Sequence, residues 1–246
     1  MSLVTNLNIL LRMQFASLRW FWASVMVNSF VIPLSFLVIW YYFAEGVAST
    51  DTMIYFLAGN ITLGLLFGNM NRVASRFAFL KDTGALDYYA TLLTNKTLLI
   101  FSVTLVFLLV SLPGVIAGLI AGIILLDVPI SVHPMLAVAL ILGSFSLSTM
   151  GAVIGVFSRS FEQSITTTQL FTLGLMVLSP VFVEVNRLPL ILQWTSRLVP
   201  TTYTVQAVRD ALISDLGVNF WLNLAILVLF NIGALWAVHR RMEWRA

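Results

Sequence analysis

Cysteine is absent from the 246-residue chain. No disulfide, thiolate metal site or cysteine nucleophile can therefore be built from it. Charge is almost as scarce, with 9% of residues charged against 60% apolar, and the mean hydropathy is +0.99. So few charges do not fit a water-solvated surface. Histidine occurs twice, as His133 and His239, far apart in sequence. Neither a metalloprotease His and Glu spacing nor a phosphate-binding GxxxxGK followed by Ser or Thr occurs, so no catalytic constellation can be assembled. Thirteen basic and ten acidic residues give a formal charge of +3, but they sit between apolar runs rather than in a patch. That distribution argues against a nucleic-acid partner. What is present in quantity is length of apolar chain, and this places the protein in a bilayer.

A helix needs about 20 apolar residues to cross about 30 Å of hydrocarbon. Six runs meet that need, at Phe21 to Phe43, Met53 to Met70, Leu98 to Leu126, Pro134 to Phe157, Ser164 to Val183 and Asn219 to Val238. They lack the alternation of an outer-membrane barrel, and an open strand edge in lipid would leave backbone groups unsatisfied. The expected fold is an all-α polytopic membrane protein with one transmembrane domain over residues 1–246. Arg12, Arg19, Arg72, Arg76, Lys81, Lys96, Arg159, Arg240, Arg241 and Arg245 fall on one side of these spans, and Arg187, Arg197 and Arg209 on the other. The excess of positive charge predicts that both termini are cytoplasmic. The first run exceeds a signal-peptide core, so it is expected to be retained.

Residues 1–20 read as an amphipathic interfacial helix. Leu3, Leu7, Leu11, Phe15, Leu18 and Trp22 recur at steps of three and four, while Asn8, Arg12 and Arg19 occupy another face. A simple extension of the first span would have the same spacing. Trp20, Trp22, Trp40, Tyr41 and Tyr42 mark the ends of that span, at headgroup depth. Gly64 and Gly68, then Gly114, Gly118 and Gly122, then Gly151 and Gly155 recur four apart, where small residues let a neighbouring backbone approach.

Two connections are much longer than the two to eight residues usual in bundles. Within 71–97, the stretch LKDTGALDYYATLLTNKT puts Leu80, Tyr88 and Leu92, and Leu86, Tyr89 and Leu93, at helical spacings. Lys81, Asp82, Asp87 and Lys96 turn elsewhere, and Gly84 breaks the pattern. This predicts a short amphipathic helix, or a pair of them, able to seat in a partner's groove. A helix lying on the membrane surface without a partner would have the same periodicity. Within 184–218, Leu188, Leu190, Ile191, Leu192, Trp194, Leu198 and Val199 are too apolar for a water-exposed loop, yet Pro189 and Pro200 forbid a continuous span. The segment reads as re-entrant or interfacial. After Pro200 a second helical stripe, Val205, Val208, Leu212 and Leu216, runs to Gly217 with Arg209, Asp210 and Asp215 facing away.

No charged residue falls near the middle of any span, which disfavours an ion-coupled carrier. The polar content there is uncharged. Asn60 and Thr62 lie in the second span, and Ser164, Thr168 and Thr172, continued loosely by Ser179, share one face of the fifth. That face can line a cavity or meet a second protomer, or its hydroxyls can simply bond the carbonyl four residues back.

The sum of these features resembles the membrane subunit of ABC-2 type exporters. The resemblance rests on the amphipathic N-terminal helix, the six spans, LKDTGALDYYATLLTNKT ahead of the third span, and LPLILQWTSRLVPTTYTVQAVRDAL with its Leu-Pro, Pro, Tyr and Arg spacing. Members often have a proline near the end of the first stretch, where this chain has Thr94, Asn95 and Lys96. The resemblance implies an exporter of the inner cell membrane in which two permease subunits pair, as a homodimer or a heterodimer. It also implies separate ABC ATPase subunits that carry ATP and Mg, this chain binding no cofactor itself. Leu80, Lys81, Asp82, Gly84, Asp87, Tyr88 and Tyr89 would couple to the ATPase, and Pro189, Trp194, Pro200, Tyr203 and Arg209 would form the outer gate. Asn60, Phe67, Thr168, Phe171 and Thr172 would line a path for an amphipathic, lipid-like, drug-like or glycan cargo. A membrane scaffold without transport activity is the alternative, motivated by the glycine faces.

Overall fold

The computed structural model describes residues 3–18, 22–44, 49–91, 96–126, 130–178 and 189–241. Among them every regular element is helical: α1 Leu3–Leu18, α2 Trp22–Ala44, α3 Thr50–Leu65, α4 Asn71–Asp82, α5 Ala85–Thr91 and α6 Lys96–Leu126, followed by α7 Met135–Phe157, α8 Phe161–Leu178, α9 Leu190–Ser196, α10 Pro200–Leu212 and α11 Val218–Arg241. The local chemistry of the helix ends is ordinary. Ser49 caps α3 by accepting from the Thr52 amide at 3.4 Å. At the start of α8, the Ser160 hydroxyl accepts from the Gln163 amide at 3.2 Å, and Gln163 Oε1 accepts from the Arg159 amide at 2.8 Å. This is a variant of the reciprocal capping box. Pro200 opens α10, where its missing N–H costs nothing.

Four helical stretches among the described residues have the length and apolarity to cross a membrane: Thr50–Asp82, Thr97–Leu126, Met135–Phe157 and Val218–Arg240. Of the other two expected spans, α2 contributes a shorter apolar stretch, Phe30–Tyr42, among the described side chains. The remaining one, α8, is 18 residues long, and its apolarity is diluted by Glu162, Gln163, Gln169 and three consecutive threonines.

The second span does not end at Met70, as its polar sequence suggests. It widens into a π-helical turn, Leu66–Met70, and continues without a break as α4. The polar residues that look like a span end are absorbed inside the bundle, where Asn69 Nδ2 donates to Ser144 Oγ of α7 at 2.6 Å. A buried amide is tolerated because part of its hydrogen-bonding capacity is met.

Around this long helix the packing is set by small residues. α7 packs against α4, α10 and α11. A Cβ at Gly151 would collide with the Met70 carbonyl, and one at Gly155 with the Ala74 carbonyl, so these glycines bring α7 into backbone contact with the long helix. On the other flank, Gly64 and Gly118 lie beside the Pro33 ring of α2, where an added Cβ would make ordinary van der Waals contact. The four-residue glycine spacing therefore marks a backbone-close crossing at Gly151 and Gly155.

The bundle has two distinguishable ends. At one, Leu10 of α1, Phe77 and Leu80 of α4, Tyr89 of α5, Val103 of α6 and Val238 of α11 share a buried apolar cluster. The first and last helices therefore meet α5 at the same end. At the other, the Ser131 and His133 amides donate to the Leu212 and Ala211 carbonyls at 3.2 and 3.1 Å, tying the entry to α7 onto the C-terminus of α10. The inward face of α1 is defined by two residues. Leu10 and Gln14 turn inward, Gln14 finding polar partners on α4 and α5, while Phe15 is exposed.

Candidate functional site

At the α5 end, α4 stops at Thr83 and Gly84. The Thr83 amide donates to the Phe79 carbonyl at 3.0 Å and the Gly84 amide to the Lys81 carbonyl at 3.2 Å. Gly84 has φ +71°, a left-handed conformation that L side chains rarely adopt, so the chain turns here because a glycine stands here. The expected coupling residues divide into two groups on either side of this turn. Leu80 is buried, and Tyr89 is only 4% exposed. Asp82 and Gly84 are exposed, and Tyr88 is 56% exposed with its ring edge-on to Tyr89. The side chain of Asp87, and residues 92–95 of the expected second half of the stripe, lie outside the described residues.

Two polar contacts hold the turn to the bundle. Lys81 Nζ donates to the Val156 and Ser158 carbonyls at 3.0 and 2.7 Å, at the C-terminal end of α7 where carbonyls lack helical partners. Gln14 bridges three helices: its Nε2 donates to Tyr89 Oη at 3.4 Å, and its Oε1 accepts from Arg76 Nε at 3.1 Å. Gln14 was invisible in the sequence pattern, since a lone glutamine on an apolar helix carries no spacing signal. Replacing Lys81 with methionine removes both α7 contacts. Hydrogen bonds from charged groups are worth about 1.5–3 kcal/mol when shielded, and Lys81 is largely solvated, so a loss of about 1 kcal/mol is expected. The check is the melting temperature in micelles, which should fall by about 2–4 °C.

The expected path residues do not converge on one surface. Asn60 is fully buried among α2, α3 and α6, close to Gly118, and neither atom of its amide has a hydrogen-bond partner among the described residues. Thr168 and Thr172 are also buried. Their hydroxyls donate to the carbonyls four residues back at 2.6 and 2.8 Å, and Thr172 Oγ1 is also 3.0 Å from Asn71 Oδ1. Ser164 Oγ reaches the Ala74 carbonyl at 3.4 Å. The polar stripe of α8 thus lies against α4. Phe67 is half-buried within the π-helical turn, and Phe171 is exposed with Leu170 and Leu173. A second polar clamp, unforeseen in the sequence, joins α7 to α11. Asn231 Nδ2 donates to Ser146 Oγ at 2.9 Å, and Thr149 Oγ1 lies 3.3 Å from Asn231 Oδ1.

At the opposite end, the expected gate residues lie on α9, on α10 and at their starts. Pro189 precedes α9. The Arg197 guanidinium lies 5.1 Å from the centre of the Trp194 ring, Tyr203 Oη donates to the Arg197 carbonyl at 2.7 Å, and Arg209 lies 5.8 Å from the Tyr55 ring of α3. Pro200 is buried at the joint. Behind Tyr203 and Arg209 a cavity of about 690 Å³ opens between α3, α10 and α11. Asp210 lines it, and burial raises its carboxyl from the ordinary 3.8 to about 6, with Asp215 adding to the rise and Arg209 and Asn223 opposing it. A raised folded-state value means that stability is greatest below the unfolded value and is lost as pH rises through the folded one. Wild type should therefore lose stability between pH 3.8 and about 6, and Asp210→Asn should flatten that slope. Melting temperatures of both proteins across this window test it.

These features define a polytopic helical membrane protein with a tethered, partly exposed helical turn at one end and a pair of short helices over a polar cavity at the other. A family model described as ABC-2 family transporter protein matches residues 47–239, which takes in both features. The chain belongs to this family and is a membrane component of an ABC transporter. No curated protein matches it.

Proposed function

We propose that the chain is the permease subunit of an ATP-driven exporter, in which two permease subunits pair and separate ABC ATPase subunits, carrying ATP and Mg, dock at the Gly84 turn. One observation carries this reading. The turn is continuous with the 33-residue helix Thr50–Asp82 and is anchored by Leu80, Lys81 and Tyr89, yet it offers Asp82, Gly84 and Tyr88 to a partner. A push on Tyr88 would therefore reach α4, and through the glycine contacts α7, as movement of packed elements rather than as local deformation. In this reading α2 and α8 complete six spans, and the α1 and α5 end faces the cytoplasm, where the basic residues concentrate.

The α9 and α10 pair, with Pro189, Trp194, Pro200, Tyr203 and Arg209, would act as the outer gate. The path would form between paired subunits along α3 and α8. Phe171 would face it directly, Phe67 would flank it, and Thr168 and Thr172 would be uncovered as α8 shifts against α4, whereas Asn60 would reach it only when α3 parts from α2 and α6. A wall of aromatic rings and hydroxyls suits an amphipathic, lipid-like, drug-like or glycan cargo better than a bare ion. The test is to co-express candidate ATPases, purify through this chain and measure vanadate-sensitive ATP turnover in the eluate. Co-eluting turnover stimulated by cargo supports the proposal. Transport by the purified chain without an ATPase overturns it, and complexes without cargo-stimulated turnover favour the scaffold.

A further inference from the structure

One face of α11 carries two adjoining hollows of opposite character. Towards its N-terminus, Asn219, Leu222, Asn223 and Ile226 wall the polar cavity that also receives Arg197, Arg209 and Asp210. Further along, Ile226, Leu229, Phe230, Gly233 and Ala234 wall a second hollow of about 540 Å³, closed by Met150 and Val153 of α7 and by Leu198, Val199 and Pro200. The spacing 219, 222, 223, 226, 229, 230, 233, 234 is a single helical stripe, so the two hollows are consecutive lengths of one trough that meet at Ile226. The Tyr203 ring of the polar half lies 6.1 Å from the Phe230 ring of the apolar half, which joins them a second time.

The dimensions and the charge of the trough identify its occupant. From Ile226 to Ala234 the helix rises about 12 Å, close to the depth of one leaflet's hydrocarbon, about 15 Å. Among the described residues, the apolar half has only Ser146 as a polar side chain, and a Cβ at Gly233 would meet nothing within 4 Å. Among the described residues, the polar half holds two guanidinium groups, Arg197 and Arg209, against one carboxylate, Asp210. Arg209 Nε is buried there and has no hydrogen-bond acceptor among the described residues. A guanidinium that is shielded and short of an acceptor is suited to a phosphate oxygen.

We propose that this trough binds a phospholipid of the adjacent leaflet, its phosphate on Arg209 with Arg197 nearby and one acyl chain along Leu229, Phe230 and Gly233. The site shares Tyr203 and Arg209 with the outer gate proposed above and touches α3 through Tyr55, but neither α8 nor Phe67 takes part, and lipid binding does not require an ATPase. A lipid seated there wedges α11 against the α9 and α10 pair, so its occupancy would set how firmly that pair is held.

The experiment uses the full chain, purified in maltoside micelles and stripped of lipid. Dioleoylphosphatidylglycerol is titrated against dioleoylglycerol, which has the same chains and no phosphate, and bound lipid is counted by native mass spectrometry. Wild type should retain the phospholipid about tenfold more tightly. Arg209→Gln should abolish the preference, and Arg209→Lys should restore part of it. Gly233→Leu, which enters open space and so should leave the fold intact, should weaken both lipids together by filling the apolar half. Equal retention of the two lipids by wild type overturns the proposal. So does a preference that survives Arg209→Gln, or lipid binding unaffected by Gly233→Leu.

Discussion

Tyr88→Glu should detach the ATPase from this permease without harming the permease itself, and Tyr89→Glu should do the reverse. The two residues are neighbours in sequence and in amphipathic spacing, but the fold separates their roles. Tyr88 presents more than half of its surface to solvent on a helix anchored by other residues. A carboxylate there gives up the edge-on contact with the Tyr89 ring, which costs the isolated chain about 0.5–1.5 kcal/mol and leaves it folded. In the complex the same carboxylate would replace an aromatic anchor at the centre of a docking surface, a change that typically costs at least about 2 kcal/mol of binding. Tyr89 packs with Leu10, Phe77 and Leu99, and its hydroxyl meets Gln14. A glutamate at 89 would be buried in that apolar cluster, at a cost of several kcal/mol. Affinity co-purification of the ATPase and the melting temperature of the permease alone, measured on both variants, separate the outcomes. Full retention of the ATPase by Tyr88→Glu would remove the coupling role of this turn.

The second large effect is expected at the crossing of α7 with the long helix. Gly151→Leu forces a side chain against the Met70 carbonyl, and Gly155→Leu forces one against the Ala74 carbonyl and the Phe77 side chain. Backbone cannot give way as the tip of a flexible side chain can. Overpacking of this kind costs about 1–3 kcal/mol at each position. The two glycines serve one interface, so the double variant need not equal the sum of the singles. Gly233→Leu is the control, because nothing lies within 4 Å of a Cβ there. Size-exclusion profiles and melting temperatures in micelles should place Gly151→Leu and Gly155→Leu well below wild type and Gly233→Leu level with it. A normal melting temperature for Gly151→Leu would mean that the close crossing is not needed for stability.

Several elements can be read directly from the residues. The run from Leu98 to Leu126 becomes Lys96–Leu126, and that from Pro134 to Phe157 becomes Met135–Phe157. In both cases the bilayer demands an unbroken apolar stretch, and its ends are visible as charge or proline. The break at Gly84 is equally legible, since only glycine takes that backbone conformation without strain. The end of the second span is not legible. Asn69, Asn71 and Arg72 resemble an exit into water, and what keeps the helix going is Ser144, a residue 75 positions away, together with the nearness of Gly151. The polar stripe of α8 is legible as a stripe, but not as a face turned to α4. Nor can composition tell Tyr88 from Tyr89, since a residue's side of a short helix acquires meaning only when another helix covers it.

Residence in a bilayer, helical architecture, and the presence of an amphipathic break between two spans follow from composition and local spacing, because hydrocarbon leaves the backbone no other way to satisfy its hydrogen bonds. Tertiary structure decided which faces meet. It buried Gln14 and Asn69, left Tyr88 in the open, and joined a polar cavity to an apolar groove along one side of α11. These outcomes depend on contacts between residues distant in the chain, such as Gln14 with Tyr89 and Tyr203 with Phe230, and local periodicity carries no information about such pairs.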